Sequence, residues 1–87
     1  MGKGNKYKNL SASATALKNG PGILVGMYVN STSSGTIKIY DSLTQAGTVM
    51  NNTITPAVGL HDFFSGGFST GLSVTIGGTL DVTLYYQ

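Results

Sequence analysis

The segment Gly67-Phe-Ser-Thr-Gly71 spells G-x-S-x-G, the string that presents a nucleophilic serine on a sharp strand-to-helix turn. His61 is the one histidine able to take that proton, and Asp41, Asp62 and Asp81 are the carboxylates able to orient it. The motif works only beneath a large α/β sheet. No stretch of this chain reads as helix, and its 87 residues are fewer than such a scaffold uses. In a chain with 13 glycines and many serines the string arises by chance, with Ser69 facing solvent and Gly71 ending a loop. His61-Asp62 could serve as a catalytic pair or half of a metal site, but a lone loop histidine beside an aspartate reads as a hydrogen-bonded structural residue. Asp41 and Asp81 could form a glycosidase pair. Each follows or interrupts an apolar alternation, which fits strand-end hydrogen bonding or an exposed face better. The sequence predicts no enzyme, no metal and no cofactor.

Binding chemistry has better candidates. Tyr28, Tyr40 and Tyr85 fall on strand faces opposite the aliphatic residues, where a row of rings could stack sugars or bases, or pack against another subunit. A ligand groove would add Arg, Trp or more polar donors, so packing is the stronger reading. Lys3, Lys6 and Lys8 surround Tyr7 and could touch an acidic surface or only solubilise the terminus.

Composition narrows the classes further. The chain has five Lys, no Arg, three Asp and no Glu, for a net charge of +2. Without Arg there is no planar fork for base edges or phosphates, and so small a charge does not steer a protein onto nucleic acid. The near-absence of good helix formers beside many Thr, Ser, Val, Gly and Tyr points to an all-β protein. A domain of this length buries about 60–65% of its unfolded surface and needs support from disulfides, a metal or association. Cysteine is absent, so association remains. The start, Met1-Gly-Lys-Gly-Asn-Lys6, lacks the apolar core of a signal peptide, and no apolar run approaches the ~20 residues of a membrane span.

Period-2 patterning places the elements. Residues 1–9 form an N-terminal arm and residues 10–87 a single domain. Leu10 to Leu17 reads as a first strand, and Asn19-Gly-Pro-Gly22 as a turn. Ile23 to Asn30 puts Ile23, Val25, Met27 and Val29 on one face, and Thr36 to Asp41 adds Ile37 and Ile39. A hairpin through Ser31–Gly35 would pair Val29 with Ile37 and Met27 with Ile39. A second hairpin, through a three-residue loop Ile76-Gly77-Gly78, would pair Val74 with Leu80 and leave Gly78 at positive φ. Gly47 to Thr55 reads as an edge strand whose alternation breaks at Asn51-Asn52, and Ala57 to Thr70 as a long connection carrying Phe63, Phe64 and Phe68. About six strands with short links predict a small antiparallel β-sandwich, jelly-roll-like, with an OB-like barrel second.

The string Gly26-Met-Tyr-Val-Asn-Ser-Thr-Ser-Ser-Gly-Thr-Ile-Lys-Ile-Tyr-Asp41 resembles a pattern of small virion proteins of tailed bacteriophages, G-x-x-V-N-S-x-x-x-G-T-hydrophobic-K-hydrophobic-x-D. Gly47-Thr-Val, Phe68-Ser-Thr-Gly-Leu-Ser-Val-Thr and Gly78-Thr-Leu-Asp-Val-Thr-Leu-Tyr-Tyr continue it, so the resemblance runs from about Gly20 onward. Its motifs are turns and strand faces, not catalytic groups. The resemblance implies a capsid decoration or cement protein, made in the host cytoplasm and carried on the virion surface. It implies packing on the major capsid protein as a small homo-oligomer, a trimer before a dimer, with the N-terminal arm as tether. The same likeness extends to β-sandwich parts of fibres or spikes. There a glycan- or receptor-binding module would use Tyr28, Tyr40 or Phe63/Phe64.

Overall fold

A computed structural model describes residues 6–87, with the side chains of all of them except Phe64 and Ser65. Six strands form one antiparallel sheet: β1 (Lys6–Leu10), β2 (Ala14–Asn19), β3 (Gly22–Asp41), β4 (Thr48–Ile54), β5 (Gly59–Phe68) and β6 (Gly71–Tyr86). β3 and β6 are 20 and 16 residues long and pair along nearly their whole length. Strands of that length are far beyond the usual five or six residues, and these two are bent.

The bend turns one sheet into two leaves. In the first leaf, β3 residues 22–29 lie between β5 and β6 residues 82–86, with β1 outside β6. In the second, β3 residues 36–41 lie between β4 and β6 residues 71–77, with β2 outside β6. Each long strand counts once in each leaf, so there are eight strand segments. Numbered along the chain, the leaves read 1-8-3-6 and 2-7-4-5, the strand order of a jelly roll. The small-sandwich expectation therefore holds. The molecule is only 18 Å thick across its shortest axis, as two leaves about 10 Å apart require.

The corner corrects both predicted hairpins. Ser31–Gly35 is not a loop but part of β3, with Ser31 opposite Asp81 and Thr32 opposite Leu80. Ile76-Gly77-Gly78 is likewise part of β6. Val29 pairs with Val82 and Ile37 with Ile76, so the apolar faces meet across the β3–β6 ladder and not within a hairpin. Short-range register logic fits the faces equally well in both arrangements, which is why it cannot separate them. Bulges at Val29/Ser31 and Ser33/Ser34 and a Ser34 φ of 58° turn the strand. Gly78 does have positive φ, at 66°, but serves the corner.

The interior is one apolar cluster. Leu24, Met27, Val29, Val82, Leu84 and Tyr86 come from the first leaf, Ile37, Ile39, Leu72 and Val74 from the second. Ser73 is the one buried polar residue among those described. Its hydroxyl accepts from the Ala16 N–H at 3.0 Å and donates to the Ser42 carbonyl at 2.8 Å, tying the bulged β2 to the loop after β3.

Four smaller expectations change. Lys6–Asn9 belong to β1 and not to an arm, because β6 extends far enough to pair them; residues 1–5 lie outside the described residues. Leu10 to Leu17 is divided between β1 and β2, one on each leaf. A bulge between Leu24 and Gly26 flips the face, so Leu24 is buried while Ile23 is exposed and Val25 half-buried. Ala57 to Thr70 contains β5, an edge strand that completes the first leaf. The Asn19–Gly22 turn and the β4 edge stand where the sequence places them.

Candidate functional site

Residues opposite one another in adjacent strands share a face, and this decides which candidates meet. Tyr7 lies opposite Tyr85, and Tyr85 opposite Gly26, all on the outer face of the first leaf. One row along, Asn9, Thr83, Tyr28 and Leu60 follow in the same order across the strands. Tyr7 is 70% exposed, Tyr28 44% and Leu60 72%. Tyr7, Tyr28 and Tyr85 therefore form a common surface.

The other candidates do not join it. Tyr40 sits on the second leaf and is only 7% exposed. Its hydroxyl accepts from Thr75 Oγ1 at 3.4 Å, and Lys38 Nζ lies 5.5 Å over its ring. That contact is cation–π, and Tyr40 does not share the surface of Tyr7, Tyr28 and Tyr85. Lys6 and Lys8 oppose Tyr86 and Leu84, so they fall on the core-side parity of β1, where both remain exposed at the sheet edge. They face away from Tyr7. Lys3 lies outside the described residues, as does the side chain of Phe64; Phe63 packs partly buried against the core.

On the tyrosine face a polar strap crosses three strands. Asn9 Nδ2 donates to Asp81 Oδ1 at 3.0 Å and Thr83 Oγ1 at 3.1 Å. Asn30 Nδ2 donates to the same two atoms at 3.4 and 3.2 Å. Asp81 is thus held at the corner, opposite Ser31, while Asp41 ends β3 in the other leaf. The two carboxylates do not face a common site.

Beside Tyr85 lies a shallow groove of about 240 Å³, lined by Val25, Gly26, Leu60, Asp62 and Tyr85. A larger cleft of about 550 Å³ opens between β4 and β5, where the leaves part. Leu24, Met50, Ile54 and Phe63 give it apolar walls, with Asn51, His61 and Asp62 among the polar lining. Sequence reading missed both because β5 reads as a connection. The alternation Val58-x-Leu60-x-Asp62 after Pro56 was the available signal, and the Gly66-Gly67 pair obscured it.

The G-x-S-x-G string occupies a strand-to-strand turn. Asp41 accepts hydrogen bonds there from the N–H groups of Ser69 (3.0 Å), Thr70 (2.7 Å) and Gly71 (3.3 Å) and from Ser69 Oγ (3.2 Å). Ser69 is thus bonded to a carboxylate. His61 donates from Nε2 to the Ala57 carbonyl at 2.8 Å, since a carbonyl only accepts. Those donors, the Ser69 N–H foremost, hold the Asp41 carboxyl below its ordinary value of 3.8. A lowered folded-state pKa contributes stability above the ordinary pKa, and that stability is lost as pH falls through the folded value. Asp41→Ala is expected to cost about 1–2 kcal/mol near neutral pH, by analogy with loss of a capping side chain. The gap to wild type should narrow as pH falls below the ordinary carboxyl value and through the lowered folded-state one, read by urea unfolding. A gap independent of pH would contradict this role.

Among the described residues, no group of three His, Cys, Asp or Glu side chains is placed to hold a metal ion. Among the described residues no helix is long and apolar enough to cross a membrane. No family model matches the chain, and neither does any curated protein or solved structure.

Proposed function

We propose that the chain is a virion structural protein of a tailed bacteriophage, a decoration or cement protein that packs across major capsid subunits as a small homo-oligomer, trimer before dimer. One observation carries this reading. The β4–β5 side of the sandwich exposes Val49, Ile54 and Val58, and Ile54 there borders a cleft whose walls are largely apolar, with His61 and Asp62 in its polar lining. Among the described residues, a largely apolar surface beside two strand edges with no further partner in the sheet is a surface built to be covered. The jelly roll supports the reading by analogy, since capsid domains use it, although fold alone does not assign function. Many copies each burying a modest area would strengthen a shell through multivalency.

Light scattering on a sizing column should give the mass of an oligomer, and mixing with purified capsids should shift the protein onto them. Ile54→Lys places a charge on the packing side and should weaken capsid binding about tenfold or more. A folded monomer that ignores capsids, or an Ile54→Lys variant that binds as wild type, would remove the basis of the proposal.

A further inference from the structure

β1 and β2 lie outside β6, one in each leaf, on the side of the sandwich away from β4 and β5. We propose that this side takes an acidic, extended segment of a partner protein. The segment adds to the free edge of β1 as a further strand and sets alternate carboxylates against Lys6 and Lys8.

The placement of charge comes first. Lys6 opposes Tyr86, Lys8 opposes Leu84 and Lys18 opposes Leu72. Each lysine therefore has the parity of the core face, at the rim of the gap between the leaves. Tyr86 and Leu72 lie equally far along β6 from Thr79 at the corner, so Lys6 and Lys18 approach one another from the two leaves. The Tyr86 hydroxyl donates to the Leu17 carbonyl at 3.4 Å and ties the leaves together there. Lys6 and Lys8 are exposed, and Lys18 is half-buried. The three aspartates stand elsewhere. Asp41 accepts from the Ser69–Gly71 turn, Asp81 from Asn9 and Asn30 on the outer face, and Asp62 belongs to β5 at the far edge of the leaf. The rim is therefore positive.

The edge itself comes second. Among the described residues β1 pairs with β6 alone, so alternate N–H and C=O groups of β1 face outward with no strand to receive them. An added strand gains main-chain hydrogen bonds there, and its alternate side chains read the lysines. Lys6 and Lys8 are about 6.6 Å apart along the strand, the spacing of alternate carboxylates in an extended partner. Residues opposite one another in paired strands have Cβ atoms about 5 Å apart, within reach of an ion pair. A second copy of this chain fits badly, because two β1 edges paired with their core-side faces aligned set lysine against lysine. A nucleic acid answers the charge but leaves the strand edge unused, and the chain has no arginine for its phosphates.

The test uses the whole chain without any particle. ¹⁵N-labelled protein is titrated with a peptide alternating glutamate with valine and threonine, with the same peptide carrying lysine for glutamate, and with a short single-stranded DNA. The acidic peptide should shift the β1 amides of Lys6 to Leu10 with a Kd of about 0.1–1 mM. Raising salt from about 0.05 M to about 0.5 M should weaken that binding several-fold. The double variant Lys6→Glu with Lys8→Glu should lose at least tenfold for the acidic peptide and gain affinity for the lysine peptide. Its fold is checked by circular dichroism, and both side chains are exposed. Lys38→Glu, on the other leaf, should bind as wild type. Absence of shifts with the acidic peptide, shifts confined to another surface, or unchanged preference in the charge-reversed variant would each overturn the proposal. Tighter binding of the DNA than of the acidic peptide would overturn it too, and would assign the rim to phosphate. Ile54→Lys should bind the peptide as wild type, so this proposal and the decoration reading fail separately.

Discussion

Gly35→Ala is expected to destabilise the protein by roughly 3 kcal/mol, enough to unfold much of a marginal domain of this size. A Cβ at position 35 would lie 2.4 Å from the Thr79 carbonyl oxygen and 2.6 Å from Leu80 Cβ. Neither can yield cheaply: one is backbone and the other belongs to a fully buried side chain. The contact exists because β3 and β6 cross at the corner where the sheet folds over itself. Gly78, at φ 66°, lies on the facing strand only 3.1 Å from the Ser34 carbonyl in the same sense, so the corner leaves no spare volume. In a hairpin with Ser31–Gly35 as an exposed loop the same substitution would cost well under 1 kcal/mol. Urea unfolding followed by circular dichroism separates the two cases. A midpoint within error of wild type would mean that the folded-over sheet is wrong.

Leu84→Ala should cost about 3–4 kcal/mol, the upper half of what cavity-forming substitutions cost. Leu84 is fully buried and pairs with Met27 across the centre of the first leaf, with Lys8 on its other side. Strand pairing holds the backbone in place around the lost side chain, so the site has little means of collapse. Met27→Ala should cost a similar amount, and the double variant less than the sum, because the two deletions enlarge one cavity. Strict additivity would show that the two side chains do not share a pocket. Neither variant touches the outer face, so a Tyr85 spectrum unchanged below the unfolding midpoint is also expected.

These effects rest on features that the sequence discloses unevenly. The strand faces are legible because alternation survives in Met27-x-Val29, Ile37-x-Ile39 and Leu80-x-Val82-x-Leu84, and each set is buried. The all-β class and the sandwich follow from them. Connectivity does not. Ser31-Thr-Ser-Ser-Gly35 has the composition of a turn, yet its polar side chains sit at a corner where β3 passes from leaf to leaf. Thr32 Oγ1 donates to the Thr79 carbonyl there and accepts from the Gly35 N–H. A corner and a loop draw on the same residues, since both need hydroxyls and glycine near solvent. Bulges are equally silent: the one at Leu24–Gly26 exchanges Ile23 for Leu24 in the core, and nothing in Gly22-Ile-Leu-Val-Gly26 announces it.

The candidate surface is legible in part for the same reason. Tyr28 and Tyr85 stand opposite the aliphatic stripes as their parity requires, and β1 brings Tyr7 to join them. Tyr40 obeys the same parity, but on the other leaf, where Thr75 and Lys38 engage it. Parity tells which side of a strand a ring is on; only topology tells which strands share a surface. The groove, the cleft and the exposed Leu60 all depend on β5, whose glycines mask its alternation.

The central claim is that this domain works by packing on a phage particle through its β4–β5 side. On the proposed function the chain is phage-encoded, and the most direct measurement is its copy number in gradient-purified virions of that phage, by quantitative mass spectrometry against the major capsid protein. A fixed ratio set by capsid symmetry, lost when Ile54→Lys replaces the wild-type chain, is the result predicted here. Absence of the chain from intact virions, or an abundance unaffected by that substitution, would contradict the claim.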